Sequence, residues 1–185
     1  MALTVLAGSA FCVSDDLGDV ADGVEGFYSA DTRHLSRLVL RIDGERPELL
    51  TSRVVDHYAA VVYGRAGALL VRRSRRVAGG LEERIVLQSV SSEPASATVT
   101  VELAADFADA ITVKEHALHG VPPVAGLALP SIGTLRAEGS EAVVADAEGE
   151  ETRTTVSLSE PAAVEAGTLV WRVELGPARS TRASP

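Results

Sequence analysis

The chain has 185 residues, of which 46% are hydrophobic and 23% charged, a balance typical of a globular protein. Its formal net charge of −9 at pH 7 disfavours a nucleic-acid partner, because such binding depends on neutralising phosphates. No apolar run reaches the roughly 20 residues that a membrane helix needs, so no membrane partner is expected. Cys12 is the only cysteine, which excludes an internal disulfide and favours a reducing, cytoplasmic location.

The first residues are apolar and allow two interpretations, a secretory signal or a β-hairpin. A secretory signal begins with Lys or Arg, and neither precedes this segment. We therefore predict a hairpin of two strands, Leu3–Ala7 and Ala10–Ser14, that turns at Gly8 and Ser9.

An acidic loop follows the hairpin and contains Asp15, Asp16, Asp19 and Asp22. Calcium favours oxygen-rich loops, but this spacing lacks the alternating ligands and the final glutamate of an EF-hand. A solvated loop is the favoured interpretation, and no metal site is assigned.

The next block places charged groups among apolar ones. Tyr28 precedes Asp31, Thr32 and Arg33, which supply a carboxylate, a hydroxyl and a guanidinium in sequence. A guanidinium offers a planar fork of donors that suits a carboxylate. We expect Arg33 to form a partly buried pair, with Asp31 or Asp106 as its partner. The block then either fixes a corner of the fold or reaches a binding surface.

Alternating residues predict strands through the middle of the chain. Leu38, Leu40 and Ile42 alternate with Val39 and Arg41, which predicts a strand, and Asp43-Gly44 then turns the chain. Residues 59–63 and 68–72 form a second predicted hairpin, and residues 81–90 continue its sheet.

Residues 72–76 read Arg-Arg-Ser-Arg-Arg. On a strand these side chains alternate between two faces, so the run does not form one patch. The favoured interpretation is a solvated edge strand that resists aggregation. The alternative is an arginine-rich surface for an acidic partner domain.

The clearest strand is residues 97–103, where Val and Leu alternate with Thr and Glu. Residues 154–158 and 169–175 repeat the pattern, and Trp171 lies on the apolar face of the last strand. No window holds apolar residues at helical spacing over three turns. These patterns predict an all-β fold, a large antiparallel β-sandwich of two curved sheets with few or no helices.

Residues 1–175 are predicted to form a single β-sandwich domain. Within it, residues 120–133 carry three prolines and are predicted to be irregular, and residues 138–152 are predicted to form a hairpin and a loop. Residues 176–185 have no periodicity and are predicted to be a flexible C-terminal tail.

A second charged block, Ala105-Asp106-Phe107-Ala108-Asp109, follows the clearest strand. With the first block, it resembles the N-terminal domain of bacterial and archaeal glycogen-debranching enzymes of the amylo-α-1,6-glucosidase type. The matching residues run in the order of that family: Gly8, Ser9, Phe11, Val13, Ser14, Asp15, Gly18-Asp19, Gly26, Asp31-Thr32-Arg33-His34-Leu35-Ser36, Leu49-Leu50, Arg72-Arg73, Leu81-Glu82-Glu83 and Asp106-Phe107-Ala108-Asp109. The resemblance implies a large β-sandwich, and it implies that the catalytic carboxylates lie in a separate, following (α/α) barrel.

The resemblance implies a non-catalytic domain that packs on this barrel, in cis or in trans, and helps shape glucan access. The residues assigned to binding or to the interface are Tyr28, Asp31, Thr32, Arg33, Asp106 and Asp109. None is assigned to catalysis, and no cofactor is expected. Whether the chain is part of a longer polypeptide or stands alone is open, as are the glucan and the oligomeric state.

Residue types alone give little support for catalysis. Glycoside hydrolysis needs two carboxyl groups across the scissile bond, whereas adjacent acids such as Glu82 and Glu83 alternate across a strand. Asp106 and Asp109 could converge on one loop, but aspartates also suit turns. His116 and His119 offer only two nitrogen ligands, whereas a zinc site has three or four protein ligands.

Two other classes of function remain open. A stand-alone glucan-binding module needs exposed aromatic side chains, and Tyr28 and Tyr58 are the best candidates. A purely structural or oligomerising sandwich needs an exposed apolar patch without convergent polar groups. If the chain evolved against a barrel, we expect such an apolar face near Asp31, Thr32 and Arg33.

Overall fold

The computed structural model describes residues 2–119, 129–145 and 152–178. Within them the chain is nearly all-β, with one short helix. The strands are β1 (Leu3–Ala7), β2 (Ala10–Ser14), β3 (Gly26–Ser29), β4 (Thr32–Leu35), β5 (Arg37–Ile42), β6 (Glu48–Asp56), β7 (Ala59–Ala66), β8 (Leu69–Val77), β9 (Leu81–Ser89), β10 (Ala95–Ala104), β11 (Thr134–Glu138), β12 (Glu141–Ala145), β13 (Arg153–Ser157), β14 (Ala163–Glu165) and β15 (Thr168–Leu175). The helix α1 (Ala110–His119) follows β10.

The strands of the described ranges form four antiparallel sheets, where the sequence predicted two. Their orders are β1-β2-β3-β4, β6-β7-β8-β9, β11-β12-β13 and β14-β15-β10-β5. They are arranged like the blades of a propeller rather than as two stacked layers. The chain changes sheet at Ser36, the single residue between β4 and β5, and β5 then pairs with β10. Alternation shows which residues share a face of a strand, but it does not show which strands pair.

One hydrophobic cluster contains residues from all four sheets, among them Val5, Leu40, Val71 and Val144. Trp171 is half-buried and packs against this cluster, as its place on the apolar face of β15 predicts. The sheets therefore bury their apolar faces against one another.

Most of the predicted hairpins are confirmed. β1 and β2 have the predicted bounds and pair from Leu3 to Ser14. The Asp43-Gly44 turn after β5 has φ values of 52° and 85°, which is the left-handed conformation of a tight hairpin turn. The β7–β8 hairpin turns later than predicted, at Gly67 and Ala68, because both strands extend beyond the predicted bounds.

The prediction that residues 72–76 form a solvated edge is wrong. They belong to β8, which lies between β7 and β9 inside a sheet. The alternation is as predicted, since Arg72 and Arg76 are exposed whereas Arg73 and Arg75 are 4% and 6% exposed. Buried carboxylates neutralise the inward arginines, and the sequence alone gives no sign of that pairing.

Several predictions fall partly on residues outside the described ranges. Of the predicted irregular region, residues 120–128 lie outside them, and residues 129–133 form no helix or strand. Of the predicted hairpin and loop, β11 and β12 form the hairpin and residues 146–151 lie outside. Of the predicted tail, residues 179–185 lie outside, whereas the Ala178 amide donates to the Ser91 carbonyl at 2.8 Å.

No helix among the described residues has the length and the apolarity needed to cross a bilayer.

Candidate functional site

The first charged block forms a tight hairpin between β3 and β4. Ala30 and Asp31 occupy the turn with φ values of 47° and 62°. Positive φ at both central residues is typical of a type I′ turn, whose twist matches that of the flanking strands. Asp31 is exposed at this turn, and Thr32, at the start of β4, is half-buried.

The second charged block lies directly beside β4. The Arg33 amide donates to the Ala108 carbonyl at 2.9 Å, and the Ala110 amide donates to the Asp31 carbonyl at 2.8 Å. Thr32 and Asp109 form a β-bridge between these two bonds. The two blocks, far apart in sequence, therefore form one corner, and α1 begins at that corner.

The predicted ion pair of Arg33 is formed with Asp106, and both side chains are 5% exposed. The Nε of Arg33 donates to the Oδ1 of Asp106 at 3.0 Å, and Nη2 pairs with Oδ2. Nη1 donates to the carbonyls of Gly23 at 3.1 Å and Glu25 at 3.4 Å. Burial alone lowers the pKa of Arg33, but the hydrogen bond and the charge of Asp106 outweigh it and raise the pKa.

Tyr28 is buried, contrary to the expectation that it is exposed. Its side chain is 3% exposed, its ring stacks on Phe11 with centroids 4.7 Å apart, and its hydroxyl donates to the Val24 carbonyl at 2.9 Å. Burial raises the pKa of Tyr28, although the charge of Arg33 opposes the change. Tyr28 supports the corner from inside and is not available to stack on a sugar.

Gly26 leaves the room that this packing requires. A Cβ atom at this position would lie 2.7 Å from the Cδ of Arg33 and 2.8 Å from the Cε2 of Tyr28. Both neighbouring side chains are held by hydrogen bonds and cannot move away freely. Gly26 is therefore part of the same packing arrangement as Tyr28 and Arg33.

Asp109 is the N-cap of α1. Its Oδ1 accepts hydrogen bonds from the amides of Ile111 at 2.8 Å and Thr112 at 3.4 Å, which are otherwise unpaired at a helix start. Asp106 is engaged by Arg33. The two aspartates of the second block therefore stabilise structure and do not converge as a catalytic pair.

An apolar surface lies next to this corner. Ile111 and Leu118 on α1 are 70% and 66% exposed, and seven residues separate them, so they lie on the same side of the helix. Val24, whose carbonyl binds Tyr28, is 46% exposed. We call Val24, Asp31, Ile111 and Leu118 the corner surface. An exposed apolar face at this place is the expectation drawn from the sequence.

A second buried charged cluster was not predicted. Glu83 on β9 accepts hydrogen bonds from the Nε of Arg73 at 2.7 Å and from the Nε of Arg75 at 2.7 Å. Burial alone raises the pKa of Glu83, but Arg75 and Arg73 outweigh it and lower the pKa. Glu82, its neighbour, is exposed and pairs with Arg76, so the two glutamates lie on opposite faces as predicted.

Asp19 extends this cluster to the acidic loop. It is 0% exposed, pairs with Arg73 and Arg46, and accepts a hydrogen bond from the Leu40 amide at 3.1 Å. The interpretation of the loop as solvated is therefore wrong for Asp19. The only sequence signal is an acidic loop and an arginine run in one chain, which does not identify the partners.

Comparison with known proteins supports the resemblance seen in the sequence. The chain matches the family described as the N-terminal domain of (some) glycogen debranching enzymes over residues 5–184. The match covers both charged blocks and the β3–β4 hairpin of the corner. No curated protein matches the chain significantly.

Proposed function

The chain belongs to the family of N-terminal domains of some glycogen debranching enzymes, and we propose that it is a non-catalytic domain of a glycogen-debranching α-glucosidase of the amylo-α-1,6-glucosidase type. In this proposal it packs on a catalytic (α/α) barrel, in cis or in trans, and helps shape glucan access. Its location is the cytoplasm, which suits the buried free thiol of Cys12.

The observation that carries the proposal is the corner surface. Ile111 and Leu118 are exposed, large and apolar and lie on one side of α1, and exposed apolar side chains grouped on a surface mark sites of contact with other proteins. Arg33 and Asp106 hold the β3–β4 turn against the start of α1, which positions Asp31 beside the helix before any partner binds. Asp31 adds an exposed carboxylate at its edge.

The positions of three carboxylates support a non-catalytic role. Asp106 is held by Arg33, Asp109 caps α1 and Glu83 is held by two arginines. A glycosidase needs one carboxyl to protonate the leaving group and a second to attack or to activate water. We therefore expect the isolated chain to release no glucose from glycogen or from isomaltose. Release that a single Asp or Glu substitution abolishes would refute this role.

Binding to the barrel can be measured with surface variants. The partner is the purified catalytic barrel encoded in the same or an adjacent reading frame, and titration calorimetry gives its affinity for the chain. We expect Ile111→Ser to weaken binding at least tenfold, since exposed apolar residues at the centre of an interface carry much of its energy. Val164→Ser is the control, because Val164 is exposed but lies on β14. Equal affinity of both variants and the parent would contradict the proposal.

An independent glucan-binding module is the second candidate, and the exposure of Tyr58 and Tyr63 favours it. It predicts that the isolated chain is retarded in a native gel that contains glycogen, and that Tyr63→Ala removes the retardation. If the chain migrates without retardation and also binds the barrel, the glucan-binding candidate is excluded and the first proposal remains.

A further inference from the structure

The outer face of the β6–β9 sheet is rich in arginine. Inward and outward side chains alternate on β8, so Arg73 and Arg75 are buried whereas Arg72 is exposed. The strand registers bring together on the outer face one row of Tyr63, Arg72 and Val86 and a second row of Arg53, Val61, Ser74 and Arg84. Arg65 lies in the next row, opposite Leu70.

Four of these arginines have no carboxylate partner among the described residues. Arg53, Arg65, Arg72 and Arg84 are all exposed, and none forms an ion pair there. We call these four residues the arginine face. The Nε of Arg65 donates to the carbonyl of Gly67 at 2.9 Å, and its cross-strand neighbour Glu48 forms no ion pair with it. Arg76 lies at the margin of the face and is paired with Glu82.

This clustering is unusual in an acidic chain. The sequence has 26 acidic residues and 17 Lys and Arg, so carboxylates outnumber cations. Most arginines elsewhere among the described residues pair with a carboxylate: Arg33, Arg37, Arg41, Arg46, Arg73, Arg75 and Arg172. Like charges close together on a sheet destabilise it. Glu48 lies opposite Arg65 and Glu82 lies two residues from Arg84, but neither forms an ion pair with an arginine of this face. Binding of an external anionic partner would explain why these arginines lie together.

The size and composition of the face indicate a macromolecule. Arg53 on β6 and Arg84 on β9 are three strand spacings apart, about 14 Å, which is too far for one carboxylate or phosphate group to bridge. Tyr63 and Val86 lie between the arginines and are 43% and 38% exposed. Arginine and tyrosine among apolar side chains are the composition of a protein interface.

We propose that the arginine face docks on a protein surface rich in Asp and Glu. The net charge of −9 opposes binding to nucleic acid and to anionic membranes, which carry negative charge over their whole surface, whereas an acidic patch covers only part of a folded protein. The partner supplies carboxylates for the guanidinium groups and apolar side chains for Tyr63 and Val86. This face lies on a different sheet from the corner surface and adds an interaction beyond the proposed function.

The test uses the full chain, with poly-L-glutamate as the carboxylate probe, at 20 mM and 500 mM NaCl. We expect binding at low salt that is lost at high salt, because exposed charges are screened. The triple variant Arg53→Gln, Arg72→Gln, Arg84→Gln should bind about tenfold more weakly, at a few-fold per exposed ion pair. Arg153→Gln is the control, because Arg153 is an exposed arginine without an ion pair among the described residues, on another sheet. The triple variant should melt no lower than the parent, because it removes like charges from one face of a sheet, and Arg153→Gln should melt like the parent.

Four outcomes would overturn the proposal. The first is no binding of poly-L-glutamate at low salt, and the second is equal binding by the triple variant and the parent. The third is tighter binding of poly(dT) or of phosphatidylserine vesicles than of poly-L-glutamate, which would assign the face to a different class of macromolecule. The fourth is low-salt self-association that the triple variant abolishes, which would make a second copy of the chain the occupant.

Discussion

Arg33 and Arg73 are both buried guanidinium groups, and each is held by carboxylates and by backbone carbonyls. Arg33 binds Asp106 and two carbonyls, and Arg73 binds Glu83, Asp19 and the carbonyls of Leu17 and Gly18. A buried charge without such partners costs several kcal/mol. The individual residues of both clusters are therefore interdependent, and single substitutions should have large effects.

Truncating Arg33 should destabilise the fold strongly. Arg33→Ala leaves the Asp106 carboxylate buried without its partner, which costs about 3–5 kcal/mol in the free energy of unfolding. Urea denaturation monitored by tryptophan fluorescence gives this value. Arg172→Ala removes an exposed pair with Glu165 and should cost less than about 1 kcal/mol. Similar values for the two variants would show that the Arg33–Asp106 pair does not stabilise the corner.

Adding one methyl group at Gly26 should also be harmful. The new Cβ would meet Arg33 and Tyr28 at distances that carbon atoms do not tolerate, and relieving this overlap costs about 1–3 kcal/mol. Thermal denaturation of Gly26→Ala measures the loss. Gly80→Ala is the matched control, because a Cβ at Gly80 meets no atom within 4 Å. A Gly26→Ala variant that melts like Gly80→Ala would contradict the close packing.

At the scale of elements, α1 is one element that the sequence did not predict. Val113 is buried whereas Ile111 and Leu118 are exposed, so the apolar residues of this helix do not form one stripe. Its start could have been recognised from Asp109, since aspartate is a preferred N-cap. The strands were easier to predict, because alternation over β10 directly reflects which side chains are buried.

Removing the N-cap should loosen α1 while leaving the sheets intact. Asp109→Ala should cost about 1 kcal/mol and speed hydrogen exchange at the amides of Ile111 and Thr112, which lose their acceptor. Asp109→Asn keeps a side-chain oxygen and should behave like the parent. If exchange in α1 is the same in Asp109→Ala, the helix is stabilised by other contacts.

The free energy of unfolding should depend on pH through Glu83, which joins β9 to two arginines of β8. Its pKa in the folded chain lies below the ordinary 4.5, so its pair stabilises the fold above that pH. The stabilisation is lost as the pH falls through the folded pKa. The gap in unfolding free energy between the parent and Glu83→Gln should be constant above pH 5 and should narrow below about 4.3. A difference in unfolding free energy that widens as the pH falls would contradict a lowered pKa of Glu83 in the folded chain.

The matched control for this experiment is Glu82→Gln. Glu82 is the next residue on β9, is exposed and pairs with Arg76 at the surface. Its substitution should change the free energy of unfolding little at neutral pH. A large effect of Glu82→Gln at neutral pH would show that exposed pairs, and not the buried cluster, stabilise this sheet.

At the scale of the whole molecule, the sequence indicated the class of fold and the place of the corner. It did not indicate four sheets, because strand pairing such as β5 with β10 depends on contacts between distant residues. From the sequence, Tyr28 was expected at the surface and Asp19 in solvent, whereas both are buried. A polar side chain is expected to be exposed unless its partners are known. A carboxylate partner for Arg33 was predictable, because a guanidinium among apolar residues needs one, but the choice of Asp106 over Asp31 depends on the fold.

The central claim is that the corner surface contacts a catalytic (α/α) barrel. Hydrogen–deuterium exchange of the chain, with and without that barrel, tests it most directly. We expect slower exchange on binding in residues 24–33 and in α1, and unchanged exchange in β14, on another sheet. Unchanged exchange at the corner when the barrel is bound, or protection only at another surface, would contradict the account.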